Sequence, residues 1–275
     1  MTILPVIASF TVQILTALIF MLVLVVMSLP MYNMLGFQEY INYIAELVYS
    51  RVSEMTFALH LISIPIFGVW YYFGCGRPKA GNVKKILTGR CVLTAVIIAV
   101  GLLLFANSFV FLSEYIFPES YAYFIYLMET SGIGVTFFGI IASVILAPVG
   151  EELVCRGIVF HYAKKLTEGL PGKSLSFWVA NVIQALLFGV LHGNFIQGAY
   201  AFVYGLGLGW IRERYKSLYP AILVHFLANF LTTFVMGYVL SPLPETIPAY
   251  MALGIISFAV MAAAVYISRE KQEAV

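Results

Sequence analysis

The chain contains no aspartate, since all 13 of its acidic residues are glutamate. An intramembrane protease of the aspartyl class is therefore excluded. Charged residues of either sign are also scarce, at 10% of the chain, whereas apolar residues reach 62%. A soluble domain is roughly half apolar and one quarter charged. Folding in water would leave much of this apolar surface uncovered, so the sequence predicts an integral membrane protein.

Several common motifs are missing as well. The three cysteines, Cys75, Cys91 and Cys155, are widely spaced and form no CxxC pair, which argues against a disulfide framework or a zinc ribbon. The chain has no H-E-x-x-H pattern of the common metalloproteases. No G-x-S-G-type motif accompanies a histidine, as a rhomboid-like serine enzyme would require. The net charge of +2 and the lack of basic runs with interleaved aromatics argue against a nucleic-acid partner.

Long apolar segments are what the chain does contain. A hydrocarbon core about 30 Å thick requires about 20 helical residues for each crossing. Eight segments meet this requirement: 3–29, 55–74, 91–113, 132–163, 174–192, 196–211, 219–240 and 247–268. The sequence therefore predicts an all-α fold, with eight transmembrane helices in one bundle. No internal repeat or soluble segment divides it, so residues 1–275 are expected to form a single polytopic membrane domain.

The distribution of basic residues predicts the orientation of this bundle. Of the 15 lysines and arginines, 13 fall in loops 75–90, 164–173 and 212–218 and in the C-terminal tail. Arg51 lies in an alternate loop and Arg156 lies inside a span. Because basic residues concentrate in cytoplasmic loops, and because eight spans alternate through this pattern without exception, both termini are predicted to face the cytoplasm.

Ionisable side chains inside the fourth predicted span are the first functional signal, because each costs at least ~2.5–3.5 kcal/mol on insertion scales. Glu152 and Arg156 are four residues apart and can pair on one helix face. We expect this ion pair to fix helix packing. Glu151 points about 100° away from Glu152 and has no local partner, which favours a chemical role. Pro148 and Gly150 are expected to loosen the helix just upstream.

Histidines in two later spans supply the second signal. His192 ends the fifth span, and His225 and Asn229 lie one turn apart in the seventh, so these two side chains project to the same side. Alone, they would be read as an interfacial histidine and an interhelical hydrogen-bonding pair. Together with Glu151 they are the groups needed for hydrolysis in a chamber shielded from lipid. His60, which has no acid near it in sequence, is interpreted as structural.

Three short motifs carry a resemblance to a known family: EELVCR at 151–156, FGVLH at 188–192 and HFLAN at 225–229. They fit the patterns E-E-x-x-x-R, F-x-x-x-H and H-x-x-x-N in order on successive membrane helices. The set resembles the CAAX prenyl endopeptidase and bacteriocin-processing family of intramembrane proteases, over about residues 132–240. The resemblance implies an endopeptidase with an intramembrane catalytic cavity, and no cofactor is expected. Its implied substrate is a membrane-delivered peptide, either a prenylated C-terminal peptide or a leader or bacteriocin-type peptide.

By position, the resemblance also implies roles for single residues. Glu151 and His192 would activate water, and His225 and Asn229 would stabilise the oxyanion. The ion pair of the fourth span would hold that helix in place. A zinc site formed by Glu151, His192 and His225 stays chemically open, because these side chains are accepted zinc ligands, but it is not favoured.

Two functions of other classes also stay open. A secondary transporter or channel is one of them, because intramembrane ionisable residues also mark ion pathways. Against it, the second half of the chain has no counterpart of the broken fourth helix, which inverted-repeat transporters usually contain. A catalytically silent immunity or scaffold protein could bind a partner through the same cavity. The intact set of polar residues argues against this reading.

Overall fold

The computed structural model describes residues 1–76 and 82–269, and all regular structure in these ranges is helical. The helices are α1 (Leu4–Leu35), α2 (Phe37–Ser50), α3 (Val52–Gly74), α4 (Val83–Ile86), α5 (Gly89–Ile116), α6 (Pro118–Ser131), α7 (Phe137–Thr167), α8 (Lys173–Leu191), α9 (Phe195–Tyr215), α10 (Tyr219–Phe234), α11 (Met236–Leu240) and α12 (Ile247–Arg269). The prediction of an all-α fold is thereby confirmed for this part of the chain. Arg77, Lys79 and Lys271, which contributed to the predicted orientation, lie outside the described residues.

Six helices of the described chain are long and apolar enough to cross a membrane: α1, α3, α5, α7, α8 and α12. They correspond to six of the eight predicted spans and confirm a multi-pass membrane protein. The predicted spans 196–211 and 219–240 correspond to α9 and α10. Within the described residues, α9 is not among the six, and α10 ends after 16 residues because the backbone leaves the helix at Val235. The count of eight stays a prediction.

Small residues allow the helices around the centre of the bundle to approach closely. In the hairpin of α8 and α9, a Cβ atom added to Gly189 would lie 2.6 Å from the carbonyl oxygen of Gly198. Further along the same hairpin, a Cβ atom on Gly205 would lie 2.7 Å from the Cα of Ala185. Glycine at these positions is thus required by packing, as is common where membrane helices contact each other.

Helix α7 departs from regular α-helical geometry on both sides of its acidic motif. The N–H of Ala147 bonds to the carbonyl of Ala142, five residues back, in a π-helical segment that covers Ile141–Leu146. A second π-helical segment covers Leu153–Val159. Pro148 has no N–H, and its ring would collide with the carbonyl four residues earlier in an α-helix. The wider turn before it relieves that collision, in agreement with the expectation of a loosened helix, and π turns of this kind are frequent at functional sites.

Candidate active site

A cavity of about 430 Å³ lies between the middle of α7 and the helices α3, α5, α9 and α10. Its lining includes all four residues that the sequence nominated for catalysis: Glu151, His192, His225 and Asn229. They come from three separate helical segments, and the fold therefore brings together groups that are up to 78 residues apart in sequence. The distances and hydrogen bonds among these four side chains determine which reaction the cavity can support.

Glu152 and Arg156 lie behind this cavity and do form the buried ion pair that their spacing predicted. The guanidinium Nη1 is 2.9 Å from the carboxylate Oε1, and both side chains are 0% exposed. The guanidinium also lies over the ring of Phe188, with Cζ 4.1 Å from the ring centroid. This cation–π contact explains the phenylalanine of the F-x-x-x-H motif, because it ties α8 to α7 directly beside the site.

His225 is held by the same buried carboxylate. Its Nδ1 is 2.9 Å from Glu152 Oε1. Since a carboxylate oxygen accepts, Nδ1 donates, and this hydrogen bond fixes the orientation of the ring. The opposite nitrogen, Nε2, faces the cavity and lies 3.8 Å from Glu151 Oε2. Glu152 therefore positions an imidazole as well as pairing with the arginine, a role that the sequence reasoning did not assign.

Glu151 differs sharply from its neighbour in the chain. Its side chain is 29% exposed and lines the cavity, whereas Glu152 is fully buried. Glu151 Oε2 has no hydrogen-bond donor among the described residues. This oxygen is itself buried and lies 3.8 Å from His225 Nε2, so water or substrate can reach the Glu151 side chain only over the part that is exposed to the cavity. The two consecutive carboxylates thus have different environments. Glu152 is held in an ion pair, and Glu151 is accessible from the cavity.

His192 ends α8, and Gly193 follows it with φ of +71°, a conformation that favours glycine and turns the chain into α9. The His192 Nδ1 is 2.8 Å from the carbonyl oxygen of Phe188. A carbonyl only accepts, so Nδ1 carries the proton and Nε2 of the neutral ring is a free acceptor. No direct hydrogen bond joins Glu151 and His192 in the described structure. Both line one cavity, in which a water molecule between them could contact each group.

Asn229 is the fourth of these residues, and its side chain is oriented by a backbone carbonyl that the irregular geometry of α7 releases. In an α-helix the carbonyl of Ser143 would accept from Ala147, but the π turn transfers that N–H to Ala142. The released Ser143 carbonyl accepts from Asn229 Nδ2 at 2.7 Å. A carboxamide has two N–H donors, so this bond orients the group and leaves the second donor for another partner in the cavity.

The geometry bears on the zinc alternative. Among residues 1–76 and 82–269, no group of three or more His, Cys, Asp or Glu side chains is placed to hold a metal ion. Glu151, His192 and His225 line one cavity without forming such a set. The residues present therefore do not fit a preformed zinc site, and independence from a cofactor stays a prediction.

His60 is the cavity residue whose position the sequence reasoning missed. It is 9% exposed and lines the cavity beside Glu151. A Cβ atom on Gly150 would lie 3.2 Å from His60 Nδ1, so the glycine before the acidic pair lets α3 approach α7 at this point. The interpretation of His60 as merely structural does not account for this placement. Thr56, His60 and Ser63 recur at helical spacing within an apolar span, and that polar stripe was the available signal.

Residues 133–231 match the family model described as Rce1-like, type II CAAX prenyl endopeptidase Rce1-like. The matched segment contains all three motifs, at 151–156, 188–192 and 225–229. It is the family that those motifs resemble, and it is confirmed for this part of the chain. No curated protein and no solved structure matches the chain.

Proposed function

We propose that this chain, which carries an Rce1-like domain of the type II CAAX prenyl endopeptidase family at residues 133–231, is a glutamate-dependent intramembrane endopeptidase. The family implies CAAX-type peptidase activity in a lipid bilayer. One observation supports the glutamate mechanism above all others. Of two consecutive carboxylates, Glu152 is buried in an ion pair, whereas Glu151 faces a cavity that three imidazoles also line.

In the proposed reaction, a water molecule lies between Glu151 and His192. The carboxylate accepts a proton from this water as the oxygen attacks the scissile carbonyl carbon, and a C–O bond forms. Glu151 then transfers the proton to the amine as the C–N bond breaks, which regenerates the carboxylate. One peptide bond and one water are consumed, and one carboxyl group and one amine are released.

The oxyanion of the tetrahedral intermediate would be stabilised by the side chains that α10 contributes to the cavity. Asn229 has a second N–H donor available, because only one is required by the carbonyl of Ser143. Donation from His225 Nε2 requires a ring protonated on both nitrogens. The carboxylates of Glu152 and Glu151, at 2.9 and 3.8 Å, supply the opposing charge. Donors oriented in advance toward a developing oxyanion contribute strongly to catalysis in a site of low dielectric.

The proposed substrate is a membrane-delivered peptide, either a prenylated C-terminal peptide or a leader or bacteriocin-type peptide. Away from its polar groups the cavity is lined by apolar side chains, including Leu103, Val110, Phe124 and Met128. These side chains support an occupant with an apolar portion. We further propose, from the distribution of basic loops, that both termini face the cytoplasm. An external readout from a C-terminal reporter fusion would contradict this orientation.

The decisive experiment compares purified wild type with Glu151→Gln in liposomes, on peptides with and without a prenyl group. Glutamine preserves shape and polarity but removes the base, so turnover should fall by at least about 10²–10⁴-fold, while thermal stability is retained. Glu245→Gln, at an exposed loop position, serves as the matched control and should cleave normally.

The same assay separates the competing functions. Cleavage by Glu151→Gln at the wild-type rate would rule out the glutamate mechanism. A transporter would cleave no peptide in any variant, and a silent scaffold would retain its biological activity after Glu151→Gln. Loss of a stoichiometric metal from that variant would instead favour the zinc alternative.

A further inference from the structure

A second cavity, of about 320 Å³, meets the catalytic cavity at Glu151. Four polar residues line both cavities: Thr56, His60, Glu151 and His192. From this junction the first cavity extends toward α5, α9 and α10, whereas the second extends toward α1. Helices α1 and α3 lie outside the segment that matches the family. The wall that these two helices contribute to the second cavity is therefore a feature that the family match does not account for.

The wall that α1 contributes to the second cavity is polar. Ser9 and Gln13 are one turn apart, so their side chains share a face, and both line the second cavity. Neither side chain has a hydrogen-bond partner among the described residues, and the same holds for the ring of His60. Polar groups at this depth are costly unless they are hydrogen-bonded. An apolar substrate chain would leave all three without a partner, whereas water would satisfy them.

We infer that the second cavity is the water channel of the catalytic site. It supplies hydrolytic water to Glu151 while the peptide occupies the first cavity, and His60 is a positioning residue at the junction. At about 30 Å³ for each molecule, 320 Å³ accommodates on the order of ten waters. This inference rests on the proposed function, because a hydrolase consumes one water in every turnover and its substrate fills the other approach to the carboxylate.

Cysteine accessibility tests the channel without requiring activity. In a Cys75→Ser background the two remaining cysteines, Cys91 and Cys155, are fully buried. Gln13→Cys then places a thiol in the second cavity, and Ile14→Cys places one on the outer apolar surface, where Ile14 is 59% exposed. The thiolate attacks the sulfur of a charged methanethiosulfonate reagent, which forms a mixed disulfide and releases methanesulfinate, and the thiolate forms in water and not in lipid.

Modification of Gln13→Cys in liposomes is expected to be at least about tenfold faster than modification of Ile14→Cys, because only the first thiol ionises. Equal protection of both thiols would overturn the water channel. The unmodified Ile14→Cys protein should cleave at the wild-type rate, which verifies that the background and the helix are intact.

Kinetics of His60 variants test the connection between the channel and the carboxylate. His60→Leu removes the polar junction and should lower kcat by about tenfold or more, with KM unchanged, since an interaction needed only after binding is lost. His60→Gln, which keeps a hydrogen-bonding side chain, should restore much of kcat. A higher KM with unchanged kcat would instead identify the second cavity as a substrate subsite, and unchanged values of both would eliminate the role of His60.

Failure of this inference is distinguishable from failure of the proposed function. If Glu151→Gln cleaves as fast as wild type, the glutamate mechanism is wrong, yet the contrast in labelling between positions 13 and 14 still decides whether the cavity is hydrated. If Glu151→Gln is inactive but both thiols are protected, the peptidase mechanism stands and the channel does not.

Discussion

Two clusters of charged side chains lie at different depths of the bundle and are built differently. The central cluster consists of Glu151, Glu152, Arg156 and His225. It contains two carboxylates and one guanidinium, and a single oxygen of Glu152 contacts both Arg156 and His225, each at 2.9 Å. Apart from the face of Glu151 that lines the cavity, water has little access to these groups.

The end cluster consists of Lys164, Arg212, Glu213 and Lys216, at the ends of α7 and α9 that we predict to face the cytoplasm. Three cations surround one carboxylate: Lys164 Nζ and Arg212 Nη1 are 2.9 and 3.2 Å from Glu213, and Lys216 also contacts it. The side chain of Lys216 is 69% exposed. Water therefore solvates the surplus positive charge.

The comparison shows why similar contacts have different consequences. In the end cluster, water and two further cations replace any partner that is removed, and pairs of this kind contribute little to stability. In the central cluster water does not replace a lost partner, so removal of Arg156 leaves the Glu152 carboxylate buried with only its contact to His225. The contacts of the central cluster consequently hold the Glu152 side chain in one conformation. Glu151 is left as the carboxylate that can accept and release a proton during a reaction.

The largest effect is expected from Arg156→Ala. This change leaves the Glu152 carboxylate buried without its cation and should cost ~3–5 kcal/mol of stability. The loss should be visible as reduced folded yield and a lower Tm in detergent. The double variant Glu152→Gln/Arg156→Ala removes the stranded charge and should be more stable than Arg156→Ala alone. Wild-type stability of the single variant would contradict the structural role and point to a direct role in substrate binding.

A smaller effect is expected from Asn229→Ala. The proposed oxyanion donor is lost, which should lower turnover by roughly 10²–10³-fold. The Ser143 carbonyl also loses its partner, and stability should fall by about 1 kcal/mol. The single-turnover rate of the variant is measured, and thermal unfolding gives the fraction of the sample that is folded. Comparing the two separates the catalytic effect from the effect on stability. A rate that falls only in proportion to the folded fraction would indicate that Asn229 has a purely structural role.

The features that sequence predicted well are those set by local helical geometry. The pairing of Glu152 with Arg156 follows from a spacing of four residues, which any helix converts into contact. The position of the Glu151 side chain on another face of the helix follows from the same geometry. The contact of His225 with Glu152 does not, because it joins residues 73 apart and depends on how α10 packs against α7.

The irregular backbone of α7 also limited how much of the candidate site could be predicted from the sequence. Pro148 and Gly150 indicated a loosened helix, but they did not specify which carbonyl would be released, and the bond of Asn229 to Ser143 depends on that register. Helices α2 and α6 were also missed, since a search for apolar spans assigns their polar residues to loops. The polar residues of α1 and α3 carried no recognised motif, so their meeting at a second cavity became visible only in three dimensions.

The smallest effect is expected from Glu213→Gln in the end cluster. Partial burial acts to raise the pKa of Glu213, but hydrogen bonds from Lys216 and Lys164 outweigh it and hold the pKa below its usual range. A carboxyl group with a lowered folded-state pKa stabilises the protein above its unfolded pKa of about 4.3 and loses that contribution as pH falls through the folded value.

The Tm difference between wild type and Glu213→Gln should therefore be small and constant from neutral pH down to about pH 5, corresponding to at most about 1 kcal/mol. Below about pH 4 it should shrink toward zero, because the wild-type carboxyl group then becomes protonated and neutral like the amide. Glu46→Gln, at an exposed position of α2, is the control and should show no such trend. A loss at neutral pH as large as that of Arg156→Ala would break the comparison, because it would mean that water does not compensate the end cluster.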